Sequence, residues 1–391
     1  MRLRLLVPRS GRGRGLGGLA ALALVIAAVL AVAGRGGDEP REPSPPAPTP
    51  TPQPAVLDAP SDGPSLAVGV TEQNPNLLVP IGPGADAPPW TTWRAALTRV
   101  DPAVYRLLVV WYEVQPSPDA PPNLGIPQTG CMRERPPCAE FAGVRDQLTA
   151  LAARQREGGW EGLLSITGTP EWAAGPASGC PGSRQTGAPR PDALPAYRRL
   201  LAAVFALADE VGARLRYVSP WNEPNHPYFL SPQRARCDAA AAPRAVAPYA
   251  RLVRAAQAEM GGERRLVLGE AAGVVEPQAR ALSVGELIRG LPRELVCDAP
   301  VWSQHGYVGG QDPVAAATAA LAARGCPREH AIWITETGVG TAPSGLSFAR
   351  GVGSEREGCR LLHERLSAWY ENPRVTVAMQ YTMREDHLFP T

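Results

Sequence analysis

"RLRYVSPWNEPNH", residues 214–226, decides how the rest of the chain is read. It opens as a short apolar run, 215–218, with the look of a buried strand. It ends on an amide, a carboxylate and a rigid imino acid: Asn222, Glu223 and Pro224. A carboxylate at the end of a buried strand is costly unless a partner or a reaction uses it. The meaning of Glu223 therefore depends on what other strand ends meet it.

Working outward, short apolar runs alternate with amphipathic helical patterns from Ser65 onward. The runs are 65–71, 105–114, 162–169, 214–221, 265–272, 300–307, 331–338 and 375–382. Helical patterns lie between them at 91–100, 138–157, 191–213, 243–260, 284–291, 313–325 and 354–372. Several runs are continuously apolar, as in parallel strands covered on both faces. Eight strands alternating with helices predict an α/β fold, and at this length a (β/α)8 barrel. An open doubly wound sheet is the alternative, but no glycine-rich phosphate loop follows the first strand. Only "MREDHLFPT" follows the eighth strand. Either the chain is truncated there or the barrel closes without an eighth helix.

The ends of the chain differ from this middle. Residues 1–34 hold an arginine-rich start and an apolar run, 16–33, closing on Ala31-Val32-Ala33. That pattern fits a signal peptide or a membrane anchor. Residues 35–64 are rich in Pro, Ser and Thr and read as an extended linker. Residues 65–391 form the folded domain. The expected location is extracellular, or membrane-anchored with the domain outside the cytoplasm and membrane contact only through the N-terminal segment. Net charge is +2, and lysine is absent. Seven of the arginines precede residue 43, and the remainder is nearly balanced. No basic stripe offers a nucleic-acid surface. Seven cysteines in an exported chain predict disulfides, with Cys131 and Cys138 close enough to clip one loop and one thiol left over. No spacing suits a structural metal, and no metal or cofactor is expected. A monomer is expected.

In a barrel of this kind the chemistry sits at the C-terminal ends of the strands. Strand four presents Asn222 and Glu223; strand seven, in "ITETG", presents Glu336. These strands lie on roughly opposite sides of the mouth, so both carboxylates can flank one bond. Glycoside hydrolysis needs that pair. With "WNEP" and "ITETG" in those slots, the folded part resembles the (β/α)8 glycoside hydrolases with catalytic glutamates on strands four and seven, cellulase-like and β-xylosidase-like among them. The resemblance implies a retaining enzyme acting on a β-linked oligo- or polysaccharide. It implies that Glu223 is the acid/base, Glu336 the nucleophile, and Asn222 a ligand of the sugar 2-hydroxyl. Strand six carries "HGY", and by the same resemblance Tyr307 hydrogen-bonds the nucleophile while His305 lies near the acid/base or the sugar.

Trp172 is the expected stacking platform for substrate, and Trp111 is read as the end of strand two. Glu72, Gln73 and Asn74 are candidates for sugar hydroxyls. Burial against Trp221 and Tyr228 would raise the Glu223 pKa. Many such enzymes hold an arginine late on strand two; Arg106 falls early and is expected to point elsewhere. Strand eight offers Gln380 and Tyr381 in place of the usual tryptophan. His226, His330 and His363 are read as solvated surface. A non-catalytic carbohydrate-binding barrel and a transglycosylase are the alternative functions.

Overall fold

The computed structural model describes residues 56–381 apart from 73, 82–83, 127–142, 177, 181, 183–185 and 340–353. Eight strands close a parallel barrel in sequence order: β1 Ala67–Thr71, β2 Val104–Val110, β3 Glu161–Thr167, β4 Tyr217–Ser219, β5 Arg265–Ala271, β6 Val301–His305, β7 Ala331–Thr337 and β8 Val375–Tyr381. β8 pairs back onto β1, Ala67 opposite Val377 through Thr71 opposite Tyr381, which removes both sheet edges. The helices between strands are α1 Trp90–Val100, α2 Trp111–Val114, α3 Gly143–Glu157, α4 Leu194–Val211, α5 Val246–Met260, α6 Val284–Gly290, α7 Arg293–Asp298, α8 Val314–Ala322 and α9 Glu355–Tyr370. Residues 382–391 lie outside the described residues, so the question of a helix after β8 does too. The N-terminal segment 16–33 and the Cys131/Cys138 loop also lie outside them. Among the described residues no helix is long and apolar enough to cross a membrane.

Local chemistry accounts for the element ends. Ser283 caps α6 from its side chain, and Glu286 returns a bond to the Ser283 backbone, a reciprocal capping box. α4 stops at Gly212, which takes the left-handed conformation that glycine tolerates (φ +75°). The second predicted strand ends earlier than expected. Trp111 opens α2 instead, fully buried, with its indole N–H donated to Gln115.

Two apolar layers result. The helix inner faces pack on the outward strand side chains. Inside the barrel, Val104, Leu163, Tyr217, Val267, Val301, Trp333 and Val377 fill the N-terminal half. Leu57, within the stretch read as linker, completes that floor: its carbonyl accepts from Trp333 (2.8 Å) and from Thr376 (2.6 Å). The floor is apolar and packed, and the Arg106 guanidinium and the carboxylates it binds lie above it. Trp333 is fully buried, edge-on to Tyr217 at 4.6 Å between centroids. Trp333→Ala should therefore cost about 3–5 kcal/mol of unfolding free energy, checked by denaturant titration, because it opens a cavity and removes one of the two donors to the Leu57 carbonyl.

Among the described residues two disulfides are formed, Cys180–Cys237 and Cys297–Cys326, and Cys359 is free and exposed. The first ties the loop after β3 to the loop after β4, at the barrel mouth. Disulfides of this kind fit an oxidising compartment.

Candidate active site

Glu223 follows β4 in a left-handed backbone conformation, φ +43°. Its N–H is held by the Glu270 carbonyl at 2.9 Å, and the Asn222 N–H by the Ile166 carbonyl at 2.8 Å. A non-glycine residue at positive φ is strained and persists only where its surroundings fix it. The result turns the Glu223 side chain inward, where it is 6% exposed. Glu336, near the end of β7, is equally buried. His305, at the end of β6, lies between them. Its Nδ1 is 2.7 Å from Glu223 Oε1 and 3.3 Å from Glu336 Oε2. One ligand atom from each of the three lies within 4.8 Å of the others. Tyr307 donates its hydroxyl to Glu336 Oε2 at 2.6 Å.

The structure thus brings together Glu223, Glu336, His305 and Tyr307, and it joins Asn222 to them through a residue the sequence reading dismissed. Arg106 does not point away. It shares its inward parity with Val104 of the floor, and its long side chain runs up the barrel interior, fully buried. Nη1 reaches Glu336 Oε1 at 2.9 Å and Nη2 reaches Asn222 Oδ1 at 2.6 Å. The early position is what makes room for that length. Glu270, on β5, was also missed. It is wholly buried and takes Arg106 in two bonds, from Nε at 2.8 Å and from Nη2 at 2.9 Å. Ser165 donates to the same carboxylate. A rule that reads carboxylates at strand ends would have flagged Glu270 in "VLGEAA".

Trp172 stands apart. It is half-buried, edge-on to Trp111 at 5.7 Å, and donates to the Gln115 carbonyl. Those contacts are packing contacts, not contacts with the carboxylate cluster. Asn74 caps the turn after β1 by accepting from the Asn76 N–H, and Glu72 accepts from the Asn74 N–H. Gln73 lies outside the described residues. The surface reading of two histidines is corrected. His226 is 7% exposed with Nδ1 3.9 Å from Glu223 Oε2, and buried His330 bonds the Val296 carbonyl. Tyr228 is exposed and packs on His226, so it does not shield Glu223 as expected.

The electrostatics also correct the sequence reading of Glu223. Burial alone would push its carboxyl up. The His305 hydrogen bond and charge, with His226 and Arg106 behind them, outweigh burial and hold it below the ordinary value. Burial likewise works against a charged His305, but Glu336 and Glu223 more than offset it and raise the imidazole. Glu223 and His305 are thus an ion pair holding one proton between them. Burial and the Glu336 charge keep the Tyr307 hydroxyl protonated, hence a donor. Burial lowers the His226 imidazole below its ordinary value, against the opposing pull of Glu223.

The pair has a stability signature. His305 is raised on folding, so its contribution is complete below its ordinary value of 6.5 and is lost as pH rises through the folded value. Glu223 is lowered, so its contribution is present above 4.5 and is lost as pH falls through the folded value. The melting-temperature gap between wild type and His305→Gln should be widest from about pH 4.5 to 6.5 and shrink at alkaline pH, measured by calorimetry. A gap that grows with alkaline pH would contradict the ion pair.

Among the described residues, the spacing of Glu223, His305 and Glu336 is the one that suits a cation. The Arg106 guanidinium on Glu336 already supplies positive charge there. A cleft of about 610 Å³ opens beside His305 and Tyr307, walled by the loops at 273–278 and 309–311.

No family model matches the sequence, and no curated protein matches it. Solved structures match its fold. An endoxylanase of glycoside hydrolase family 30 from Clostridium papyrosolvens aligns over 83% of this chain and 67% of its own, at 11% identity and TM-score 0.50. SrfJ from Salmonella typhimurium aligns over 83% and 66%, at 10% identity and TM-score 0.50. A fungal β-1,4-galactanase aligns over 81% and 88%, at 13% identity and TM-score 0.47. The chain spans about two thirds of the length of the first two. By fold, this chain is a (β/α)8 barrel like those of the glycoside hydrolases it resembles.

Proposed function

We infer that the protein is a retaining glycoside hydrolase acting on a β-linked oligo- or polysaccharide, with Glu223 as acid/base and Glu336 as nucleophile. One observation carries this: two buried glutamates from the ends of β4 and β7 face each other across His305, with ligand atoms within 4.8 Å. Retaining enzymes place their carboxyl groups ~5–5.5 Å apart, whereas inverting ones need ~6.5–9.5 Å for a water. The short spacing favours direct attack. The barrel fold shared with an endoxylanase at TM-score 0.50 agrees with a polysaccharide substrate.

Each residue then has a task. The proton held by the Glu223–His305 pair passes to the glycosidic oxygen as its bond to the anomeric carbon breaks. Glu336 attacks that carbon from the other face and becomes esterified to the sugar. Arg106 and Tyr307 fix the two Glu336 oxygens, so the nucleophile is aimed before substrate arrives. Water then attacks the anomeric carbon, Glu223 takes its proton, and the bond from that carbon to Glu336 breaks, so Glu336 leaves as carboxylate. Asn222, oriented by Arg106, binds the sugar 2-hydroxyl. Trp172 is assigned to a distal sugar. The disulfides and N-terminal segment fit action outside the cytoplasm. A screen of β-linked polysaccharides and aryl β-glycosides, read by reducing ends and by NMR of the first-formed anomer, tests the proposal. Release of the β-anomer supports it; the α-anomer, or no cleavage across the panel, defeats it.

A further inference from the structure

Glu270 is a buried carboxylate that the two-glutamate mechanism does not use. Its placement is also one the strand pattern alone would forbid. On β5, Val267 faces the barrel interior and Leu268 the helix layer, so Glu270 should face outward. The β5–β6 register slips between Leu268 and Ala271, and the backbone there is left-handed at both Gly269 (φ +108°) and Glu270 (φ +43°). That bulge turns Glu270 inward. Three side chains hold the bulge: the Tyr249 hydroxyl accepts from the Gly269 N–H at 2.8 Å, Ser303 Oγ from the Glu270 N–H at 2.7 Å, and Asn225 Oδ1 from the Ala272 N–H at 2.7 Å. A β-carbon on Gly269 would meet the Ser303 carbonyl at 2.3 Å, so the position accepts only glycine. Strain fixed this thoroughly, beside a functional cluster, points to use.

From there Glu270 touches both halves of the site. Its carbonyl accepts from the Glu223 N–H at 2.9 Å. Its carboxylate takes the Nε/Nη2 edge of Arg106. A guanidinium favours a two-bond fork with a carboxylate, and it has only two such edges in reach here. With one edge on Glu270, Arg106 can give Glu336 a single bond and give Asn222 another. Without Glu270, the fork would close on Glu336, tie up both of its oxygens, displace Tyr307 and release Asn222.

We propose that Glu270 is a positioning residue: by holding one edge of Arg106, it sets how much of the guanidinium reaches the nucleophile and keeps Asn222 aimed at the substrate. This rests on the glycosidase reading for its consequence, but the geometry is tested independently. The crystal structure of Glu270→Gln, which keeps the shape and removes the charge, should show Arg106 rotated onto both oxygens of Glu336 and Asn222 without its donor. With an aryl β-glycoside, kcat should fall by about 10²-fold, the scale of a small misplacement of reacting groups, with KM little changed. Glu270→Asp is the second variant, in case the glutamine form does not fold. It keeps the charge but is one methylene shorter, drawing Arg106 off Glu336, and it should also lose kcat while melting near wild type. An unmoved Arg106 in Glu270→Gln, or wild-type kcat in a folded variant, overturns the proposal. If the wild type cleaves no β-glycoside, the functional reading fails, while the position of Arg106 in the variant still decides the role of Glu270.

Discussion

Glu336→Gln should lose turnover by on the order of 10⁴–10⁶-fold, as removal of a covalent nucleophile does when the remaining machinery stays in place. The fold should survive. A glutamine at 336 can still offer its carbonyl oxygen to Arg106, which remains neutralised by the Glu270 carboxylate to which it donates two bonds. The amide NH2 would then face Tyr307, whose hydroxyl can turn to accept. The assay is direct. A 2-fluoro aryl β-glycoside with a fast leaving group should trap a glycosyl-enzyme in wild type, seen as a mass increase on a peptide containing Glu336. The variant should not label. Labelling at the wild-type rate, or on another residue, would end the assignment of Glu336.

Glu223→Ala should show a loss that depends on the leaving group. General acid catalysis contributes about 10²–10⁴-fold where the departing oxygen needs a proton. A dinitrophenyl glycoside leaves without one, so its glycosylation step should change little. An oligosaccharide, whose leaving group is an alcohol, should lose the full amount. The second step also loses its base, and azide, which needs no deprotonation, should restore turnover and give the β-glycosyl azide. An equal loss for every leaving group, or an α-azide product, would show that Glu223 is not the acid/base. The variant also removes the 2.7 Å partner of His305 but leaves Glu336 3.3 Å from the imidazole, so the pH window of stability described above should narrow with it.

These two residues and the barrel itself were legible because they obey simple periodic rules. Continuously apolar strands at regular spacing specify parallel β-structure with helices on the outside. A carboxylate after such a strand, as in "WNEP" and "ITETG", is then placed by the fold at the mouth. The core roles of Trp302 and Trp333 follow from the same alternation, and both are fully buried. Boundaries were less legible. β4 is only three residues long, with Asn222 and Glu223 bonding single carbonyls of β3 and β5 past its end, and Trp111 opens a helix where its strand was expected to continue.

What the sequence determined by itself is thus the periodic part: eight strands, their order, two glutamates, a histidine and a tyrosine at the strand ends. What only the tertiary structure decided is how these groups are connected. Arg106 belongs to the site because a long side chain, starting low on β2, spans the barrel's interior. Glu270 belongs because a bulge reverses its parity. The lowering of the Glu223 carboxyl follows chiefly from a neighbour 82 residues away, His305. Parity, reach and pairwise charge are three-dimensional quantities. A linear pattern carries the regular alternation of a strand, but not the local slip that overturns it.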